Sequence, residues 1–195
     1  MRKIVFGALI LAMPLAAAAE AESFAFDPPH TFPHFALDYA GYATIYGRFD
    51  KTAGRFTIDR AAKTAALELA VETVSVTTGD NERGSRARTR DEHLRTADFF
   101  NVAEFPRMTY KSTHVKFNGE DPAEIEGQLT LLGVTRPLTL KVDRWACKVH
   151  PFYKKFGCGG NASGVLKRSE FGMKIFLPVL GDEVRITIMF LGMKQ

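Results

Sequence analysis

Apolar residues recur at every second position through most of the chain, and this period constrains the fold more than any other feature. The runs at 67–71, 138–142 and 184–190 all place apolar side chains on one parity, with mainly polar or charged residues between them. A period of two indicates strands with one buried face. Turn-forming residues such as Gly181-Asp182 separate the runs. With about eight or nine strands joined by short turns, the sequence predicts an all-β antiparallel barrel or sandwich.

One stretch, residues 83–104, has no such alternation. Its residues predict a short helix over Asp91–Phe100, with Leu94 and Phe100 turned towards the body of the protein. A long excursion of this kind in a compact β domain is often a lid or a binding loop. The sequence shows no repeat and no linker, so residues 22–195 are predicted to form one domain.

The first 19 residues are typical of a secretory signal peptide. Arg2-Lys3 precedes an apolar stretch over 4–15, and alanines over 16–19 supply small residues for cleavage near Ala19 or Ala21. A membrane anchor is the alternative, but the apolar stretch is shorter than the roughly 20 residues of a spanning helix. We therefore expect an exported protein without a transmembrane anchor.

The charge balance argues against nucleic acid as a partner. The chain has 26 Lys and Arg against 22 Asp and Glu, and removal of Arg2 and Lys3 leaves 24 against 22, a net charge of +2. Proteins that bind duplexes carry a stronger and more clustered basic surface.

The only two cysteines of the chain are Cys147 and Cys158. In an oxidising compartment such a pair is most simply a local disulfide. A redox-active or metal-binding pair is the alternative, with His150 as the only nearby ligand. The spacing is longer than the C-x-x-C of reactive dithiols, however, and two thiols alone make an incomplete zinc site. We predict a structural bridge.

The chain is rich in aromatic residues, with 16 Phe and 5 Tyr. A barrel of about eight strands is either filled by its own side chains or holds one small ligand. The rings near the irregular stretch, among them Phe99, Phe105 and Tyr110, are compatible with both arrangements.

Five segments, taken in order, are similar to the YceI-like family of periplasmic polyisoprenoid-binding proteins. They are FALDYAGYATIYGRF (35–49), RDEHLRTADFFNVAEFPRMTYKST (90–113), GQLTLLGVTRPLTL (127–140), KRSEFGM (167–173) and GDEVRITI (181–188). The resemblance implies a periplasmic, lipocalin-like β-barrel whose apolar lumen holds a long isoprenoid tail, such as that of a polyprenyl phosphate or a quinone. It also implies a carrier with no enzymatic activity and no cofactor other than the bound lipid or quinone.

The residues expected to face this lumen are apolar or aromatic side chains of the strands and of the irregular stretch. They are Phe35, Leu37, Tyr39, Phe99, Phe100, Phe105, Tyr110, Leu129, Leu131, Leu138, Leu140, Phe171, Ile186 and Ile188. Polar groups at the mouth would then bind the head group, and the candidates are Arg90, Asp91 and His93, with Arg86 and Arg88 beside them. In the alternative, Asp91 only caps the helix and the arginines are solvated. Arg168 and Glu170 are expected on the polar face of a strand, where their charges would pair.

Three other functions compete with the carrier. A solidly packed barrel would leave a stress or surface-interaction protein with no lipid ligand. A hydrolase-type enzyme would use Asp91 and His93, although residues two apart on a helix do not face each other. A metal site would need scattered histidines to converge, namely His30, His34, His93, His114 and His150. Transient membrane contact and a homodimer are both compatible with the carrier.

Overall fold

The computed structural model describes residues 21–195, which form one antiparallel sheet closed on itself. The strands are β1 (Glu22–Phe26), β2 (Phe32–Tyr39), β3 (Ala43–Phe49), β4 (Thr52–Asp59), β5 (Thr64–Glu72), β6 (Val76–Thr77), β7 (Arg107–Asn118), β8 (Asp121–Leu131), β9 (Val134–Val149), β10 (Phe156–Lys167) and β11 (Leu180–Lys194). The helix α1 spans Arg90–Leu94, and short 3-10 helices span Pro28–His30, Thr73–Ser75 and Arg168–Phe171.

The first six strands act as three long, bent strands. β1 pairs with β4 while β2 pairs with β3, so β1–β2 and β3–β4 form one interrupted hairpin. β5 and β6 continue that hairpin on the other side, because β5 pairs with β4 and β6 with β3. With β7 to β11 as single strands, the barrel has eight long strands in a simple meander. This confirms the predicted barrel and decides against the sandwich.

The last strand closes the barrel. β11 pairs with β10 on one side and with both β1 and β2 on the other. Near its end the Nζ of Lys194 lies 2.5 Å from a carboxylate oxygen of Glu22, and the N–H of Gln195 donates to the carbonyl of Ser23 at 2.9 Å. The two ends of the described chain therefore lie side by side.

Inward-facing glycines make room for aromatic rings that lie along the inner wall of the barrel. A Cβ placed on Gly127 would lie 2.5 Å from the ring and hydroxyl of Tyr110, and one on Gly192 would lie 2.3 Å from the ring of Phe56. A side chain at either position would collide with the ring. Glycine at these positions is thus a packing requirement of the interior.

The long excursion between β6 and β7, residues 78–106, lies across one end of the barrel, and we call it the lid segment. Its helix is shorter than predicted and ends at Leu94, because the following residues form turns. Thr89 is the N-cap, and it exchanges hydrogen bonds with Glu92 in a capping box. Arg95 then donates to the carbonyls of Val74 and Val76, which attaches the segment to the barrel.

The expectation for Arg168 and Glu170 was wrong. They belong to a 3-10 helix between β10 and β11, and Arg168 is 2% exposed. Its guanidinium donates to the backbone carbonyls of Met173, Leu180 and Gly181 at 2.9–3.0 Å. It takes this position because the chain turns back on itself here and leaves these carbonyls outside the sheet ladder.

Cys147 and Cys158 face each other across β9 and β10 and are joined by a disulfide with an S–S distance of 2.05 Å. The predicted bridge is confirmed. Cys158 is fully buried, so the bridge fixes two strands of the barrel wall from the inside.

The predicted signal peptide, residues 1–19, lies outside the described residues. Between residues 21 and 195, no helix has the length and apolar character needed to cross a membrane.

Candidate functional site

The interior of the barrel contains an apolar cavity of about 130 Å³ beneath the lid segment, which we call the upper cavity. Its wall combines strand residues with Leu94, Phe99 and Phe100 from the lid segment. The strand residues are mainly aliphatic, and they include Leu69, Val71, Leu129, Leu131, Leu138, Leu140, Val184, Ile186 and Ile188. The lid segment therefore forms the roof of the cavity.

A second apolar cavity of about 60 Å³, the lower cavity, lies deeper in the barrel. Aromatic rings form much of its wall, and they are Phe26, Phe56, Tyr110, Trp145 and Phe190. The ring of Trp145 lies 5.9 Å from those of both Phe56 and Phe190, so the rings close this half of the lumen.

Four residues line both cavities and form the partition between them: Leu69, Tyr110, Leu140 and Ile188. Tyr110 is the only one of the four with a polar group, and its hydroxyl lies 3.0 Å from the backbone carbonyls of Ile125 and Leu138. Burial, with a smaller contribution from the charge of Glu126, raises the pKa of Tyr110. The hydroxyl therefore stays protonated and bonded to the wall.

A surface groove of about 440 Å³, the mouth groove, adjoins the upper cavity beside the lid segment. The two share Phe35, Leu37, Leu94 and Phe99 as wall residues. The groove also has polar side chains, namely those of Thr78, Arg86, Arg88, Thr89, Arg90 and His93. The mouth groove, the upper cavity and the lower cavity thus follow one another from the surface to the interior.

Acidic partners hold two of the groove's arginines and its histidine. Arg86 binds both carboxylate oxygens of Asp80 at 2.7 Å. Asp98 accepts hydrogen bonds from His93 at 2.7 Å and from Arg88 at 3.3 Å. The hydrogen bond from His93 is the main cause that lowers the pKa of Asp98, and that from Arg86 is the main cause for Asp80.

Arg90 differs from its neighbours. Its guanidinium bonds weakly to the hydroxyl of Thr78, at 3.4 Å, and its side chain has no carboxylate partner among the described residues. Only its backbone N–H contacts an acid, Asp80, at 2.9 Å. The Arg90 guanidinium therefore offers donors to a group in the mouth groove.

Asp91 has a structural position. It is 5% exposed, and its two oxygens accept hydrogen bonds from the hydroxyl of Thr77 and from the N–H and hydroxyl of Thr78 at 2.6–2.9 Å. It neither faces the groove nor caps the helix, since Thr89 is the N-cap. His93 bonds to Asp98 instead, so the Asp91/His93 pair of the hydrolase hypothesis does not form.

The structure places most of the predicted lumen residues on the wall of the upper cavity. Three lie elsewhere. Tyr39 lines the mouth groove and is 47% exposed, because β2 ends there at the rim. Phe105 lies near the end of the lid segment and packs against the turn at Gly133, and Phe171 is buried within the 3-10 helix between β10 and β11.

The partition and the lower cavity were not predicted from the sequence. Leu69 lies in a run of alternating apolar residues that predicted a strand, so parity could have placed it inside. The parity of the strand residues could likewise have placed Trp145 of β9 and Phe190 of β11 inside the barrel. Nothing in the pattern, however, says that the interior is divided.

The histidines do not converge on a metal site. The rings of His30 and His150 approach to 6.3 Å, and His30 bonds to Asp27 at 2.6 Å. Within residues 21–195, no group of three or more His, Cys, Asp or Glu side chains could hold a metal ion.

Exposed apolar side chains surround the mouth groove. Tyr39, Phe176 and Val179 line it and are 47–57% exposed, and Tyr42, in the turn after β2, is 88% exposed. Ala40 donates to the carbonyl of Val179, which brings this turn against the segment before β11.

Comparison with known proteins gives a consistent result. The profile of the YceI-like domain matches residues 24–190. A UPF0312 protein of Pseudomonas aeruginosa is 37% identical over 166 residues, covering 85% of this chain and 83% of its own length. Protein YceI of Escherichia coli is 36% identical over 167 residues, with the same coverage.

Solved structures show the same fold. BcnA of Burkholderia cenocepacia has a TM-score of 0.68 at 16% identity and covers 85% of this chain and 98% of its own. A polyisoprenoid-binding domain of Saccharophagus degradans has a TM-score of 0.61 at 15% identity and covers 88% of this chain and 98% of its own.

Proposed function

Since the chain belongs to the YceI-like family, we propose that it is an exported carrier for a long-chain isoprenoid lipid, a polyprenyl phosphate or an isoprenoid quinone. The observation that carries the proposal is the apolar upper cavity, which adjoins the mouth groove and shares four wall residues with it. In this proposal the tail occupies the upper cavity and the head group stays in the mouth groove. The polyisoprenoid-binding domain of Saccharophagus degradans, which has the same fold, supports the ligand class.

The wall chemistry supports this division of the ligand. The polar atoms of Tyr110 and Arg168, both at the upper cavity, bond to backbone carbonyls and leave a hydrocarbon wall. Burial of each methylene group of a tail contributes about 0.8 kcal/mol. A hydrocarbon wall offers no partner to a phosphate or a quinone oxygen, which therefore remains at the mouth.

The size of the cavities sets a condition on binding. A cavity of about 150 Å³ holds a molecule of the size of benzene. The upper cavity, at about 130 Å³, thus has room for about one five-carbon unit. A longer tail enters as the wall side chains move, and the flexible thioethers of Met108 and Met173 are suited to that rearrangement.

Native mass spectrometry of the protein purified from the periplasm, followed by organic extraction, tests the carrier function. A co-purifying isoprenoid of one chain length is the expected result. A protein that is free of lipid, and that gains no thermal stability from added quinone or polyprenyl phosphate, would leave the packed-barrel alternative instead.

We further propose Arg90 as the contact for a phosphate head group, because its side chain has no carboxylate partner among the described residues. Arg90→Gln is expected to weaken the binding of a polyprenyl phosphate about tenfold, since a hydrogen bond to a charged group contributes about 1.5–3 kcal/mol. Binding of the uncharged polyprenol should not change. Arg83→Gln is the matched control, because Arg83 pairs with Glu92 and does not line the groove. Equal affinities of Arg90→Gln and the parent protein for the phosphate would contradict this role.

Transient contact with a lipid surface is proposed for the rim of the mouth groove, where the route for the tail reaches the surface. The double variant Tyr42→Ser/Phe176→Ser is expected to lower co-sedimentation with phosphatidylcholine vesicles about tenfold. Phe152→Ser is the control, because Phe152 is 84% exposed but lies in the β9–β10 turn at the other end of the barrel. A loss of equal size in the control would contradict the rim as the contact.

The export proposal agrees with the position of β1. This strand begins at Glu22 and closes the barrel against β11, so cleavage after Ala19 or Ala21 leaves the sheet intact. The mass of the mature protein from the periplasmic fraction checks the cleavage position.

A further inference from the structure

The partition between the upper and lower cavities contains one side chain that is fixed from several sides. Leu69, Leu140 and Ile188 contribute aliphatic groups. Tyr110 contributes a ring that is 5% exposed and extends from β7 along the wall, over Gly127 of β8, towards β9. Its position in the wall of both cavities makes it the boundary of each.

Two contacts hold the ring in place. Its hydroxyl lies 3.0 Å from the carbonyls of Ile125 on β8 and Leu138 on β9, so the ring tip is attached to two neighbouring strands. The ring also lies over Gly127, where a Cβ would be only 2.5 Å away. A swing of the ring would remove a buried hydroxyl from its acceptors, which costs roughly 1–3 kcal/mol. The aliphatic neighbours have no such bond.

We propose that Tyr110 is the stop that sets the length of isoprenoid chain accepted by the barrel. The inference rests on the proposed function, because it concerns the tail that the upper cavity would hold. A chain entering from the mouth groove extends along the upper cavity until its end meets the ring. The lower cavity stays closed to the chain while the ring is in place.

The experiment measures dissociation constants for prenyl monophosphates of increasing length: dimethylallyl, geranyl, farnesyl, geranylgeranyl and octaprenyl. In the parent protein the affinity should rise more than tenfold with each five-carbon unit that is newly buried, and then level off at the length that reaches Tyr110. Tyr110→Ala joins the two cavities, so its affinity should continue to rise for at least one further unit. The ratio of affinities for the two lengths that bracket the plateau should change by tenfold or more.

Two other variants make the result specific. Leu131→Ala enlarges the upper cavity without touching the partition, so it should alter the affinities and leave the plateau at the parent length. Tyr110→Leu keeps an apolar side chain of moderate size and removes the hydroxyl, which provides a second test if Tyr110→Ala does not fold. A plateau at the same chain length in the parent protein and in the folded Tyr110 variant would overturn the proposal.

Saturated primary alcohols of matched lengths separate this inference from the proposed function. In one outcome, prenyl phosphates fail to bind, but the affinity for the alcohols levels off at a chain length that is greater in the Tyr110 variant. The proposed isoprenoid function is then wrong, and the role of Tyr110 as the stop is supported. In the opposite outcome, prenyl phosphates bind, and the affinity levels off at the same chain length in the parent protein and the Tyr110 variant. The proposed function is then supported, and the role of Tyr110 as the stop is wrong. If neither series binds the parent protein, both proposals are overturned.

Discussion

Arg168 shows how one buried charge can organise a turn. Three backbone carbonyls around the 3-10 helix accept from its guanidinium, and Asp182, which accepts from the N–H and hydroxyl of Ser169, lies near enough to favour its charge. Burial lowers the pKa of Arg168, but an arginine remains charged throughout the physiological range. The charge is kept because backbone dipoles and a carboxylate surround it.

We predict that Arg168→Met lowers the free energy of unfolding by roughly 3 kcal/mol, since it leaves buried carbonyls without donors. The midpoint of urea denaturation measures the change. Lys167→Met is the control, because Lys167 is the exposed neighbour at the end of β10. Equal midpoints for the two variants would show that the carbonyls find other partners.

The position of Asp91 could not be predicted from its local sequence. Asp91 lies at the start of the predicted helix, so the sequence was compatible with two roles for it, a helix cap and a contact to the head group. Its actual partners, Thr77 and Thr78, precede Asp91 by 14 and 13 residues and lie before the irregular stretch. These hydrogen bonds form only because the lid segment folds back against the end of β6. A local sequence pattern does not predict such a contact. The parity of Leu129 and Leu140, in contrast, is a local property, and it placed both residues inside.

The lid segment is an element whose stability depends on carboxylates. Hydrogen bonds from Arg83, followed by those from the backbone of Thr89, lower the pKa of Glu92 to about 2. A group whose pKa is lower in the folded protein stabilises it above the unfolded pKa, which is about 4.3 for Glu, and this contribution is lost as the pH falls towards 2. Asp80 and Asp98 shift in the same direction.

We therefore predict that the lid segment opens more readily at pH 3 than at pH 6, while the strands keep their protection. Hydrogen exchange of peptides from 89–95, compared with peptides from β8 and corrected for intrinsic rates, measures this difference. Glu92→Gln cannot lose a charge at position 92, so it should show a smaller change between the two pH values. The same pH dependence in both proteins would exclude Glu92 as a source.

The disulfide between Cys147 and Cys158 stabilises the hairpin of β9 and β10 through its effect on the unfolded chain. Its eleven-residue separation means that it restricts only a short loop of the unfolded chain. In the chain-entropy model this contributes about 2–3 kcal/mol. We predict a loss of that size for Cys147→Ala/Cys158→Ala, measured by thermal unfolding of the parent and the variant. Reductant should lower the melting temperature of the parent protein and leave that of the variant unchanged.

The elements themselves were predicted unevenly. Period-two runs identified the strands well, because a half-buried strand repeats its burial every two residues. The helix was predicted to reach Phe100 but ends at Leu94, where Arg95 turns to bind carbonyls of an earlier segment. Arg168 and Glu170 were predicted on the polar face of a strand, but they lie in the 3-10 helix between β10 and β11.

The alternation of apolar and polar residues is compatible with both a barrel and a sandwich. The pairing of β11 with β1 and β2 decides between them, and it joins residues from opposite ends of the chain. Such pairings have no signature in a single sequence. The five family-like segments supplied the global arrangement that the local patterns could not.

The closure of the barrel by its last strand has a consequence for when the protein folds. β10, β1 and β2 all lack a neighbour until residues 180–194 are present, so a chain that is still being synthesised or threaded through a membrane pore cannot complete the sheet. Pairings between the two ends of a chain are also slow to form, because a long loop must close first. In the export that we propose, the sheet would therefore close only after the last strand has crossed the membrane.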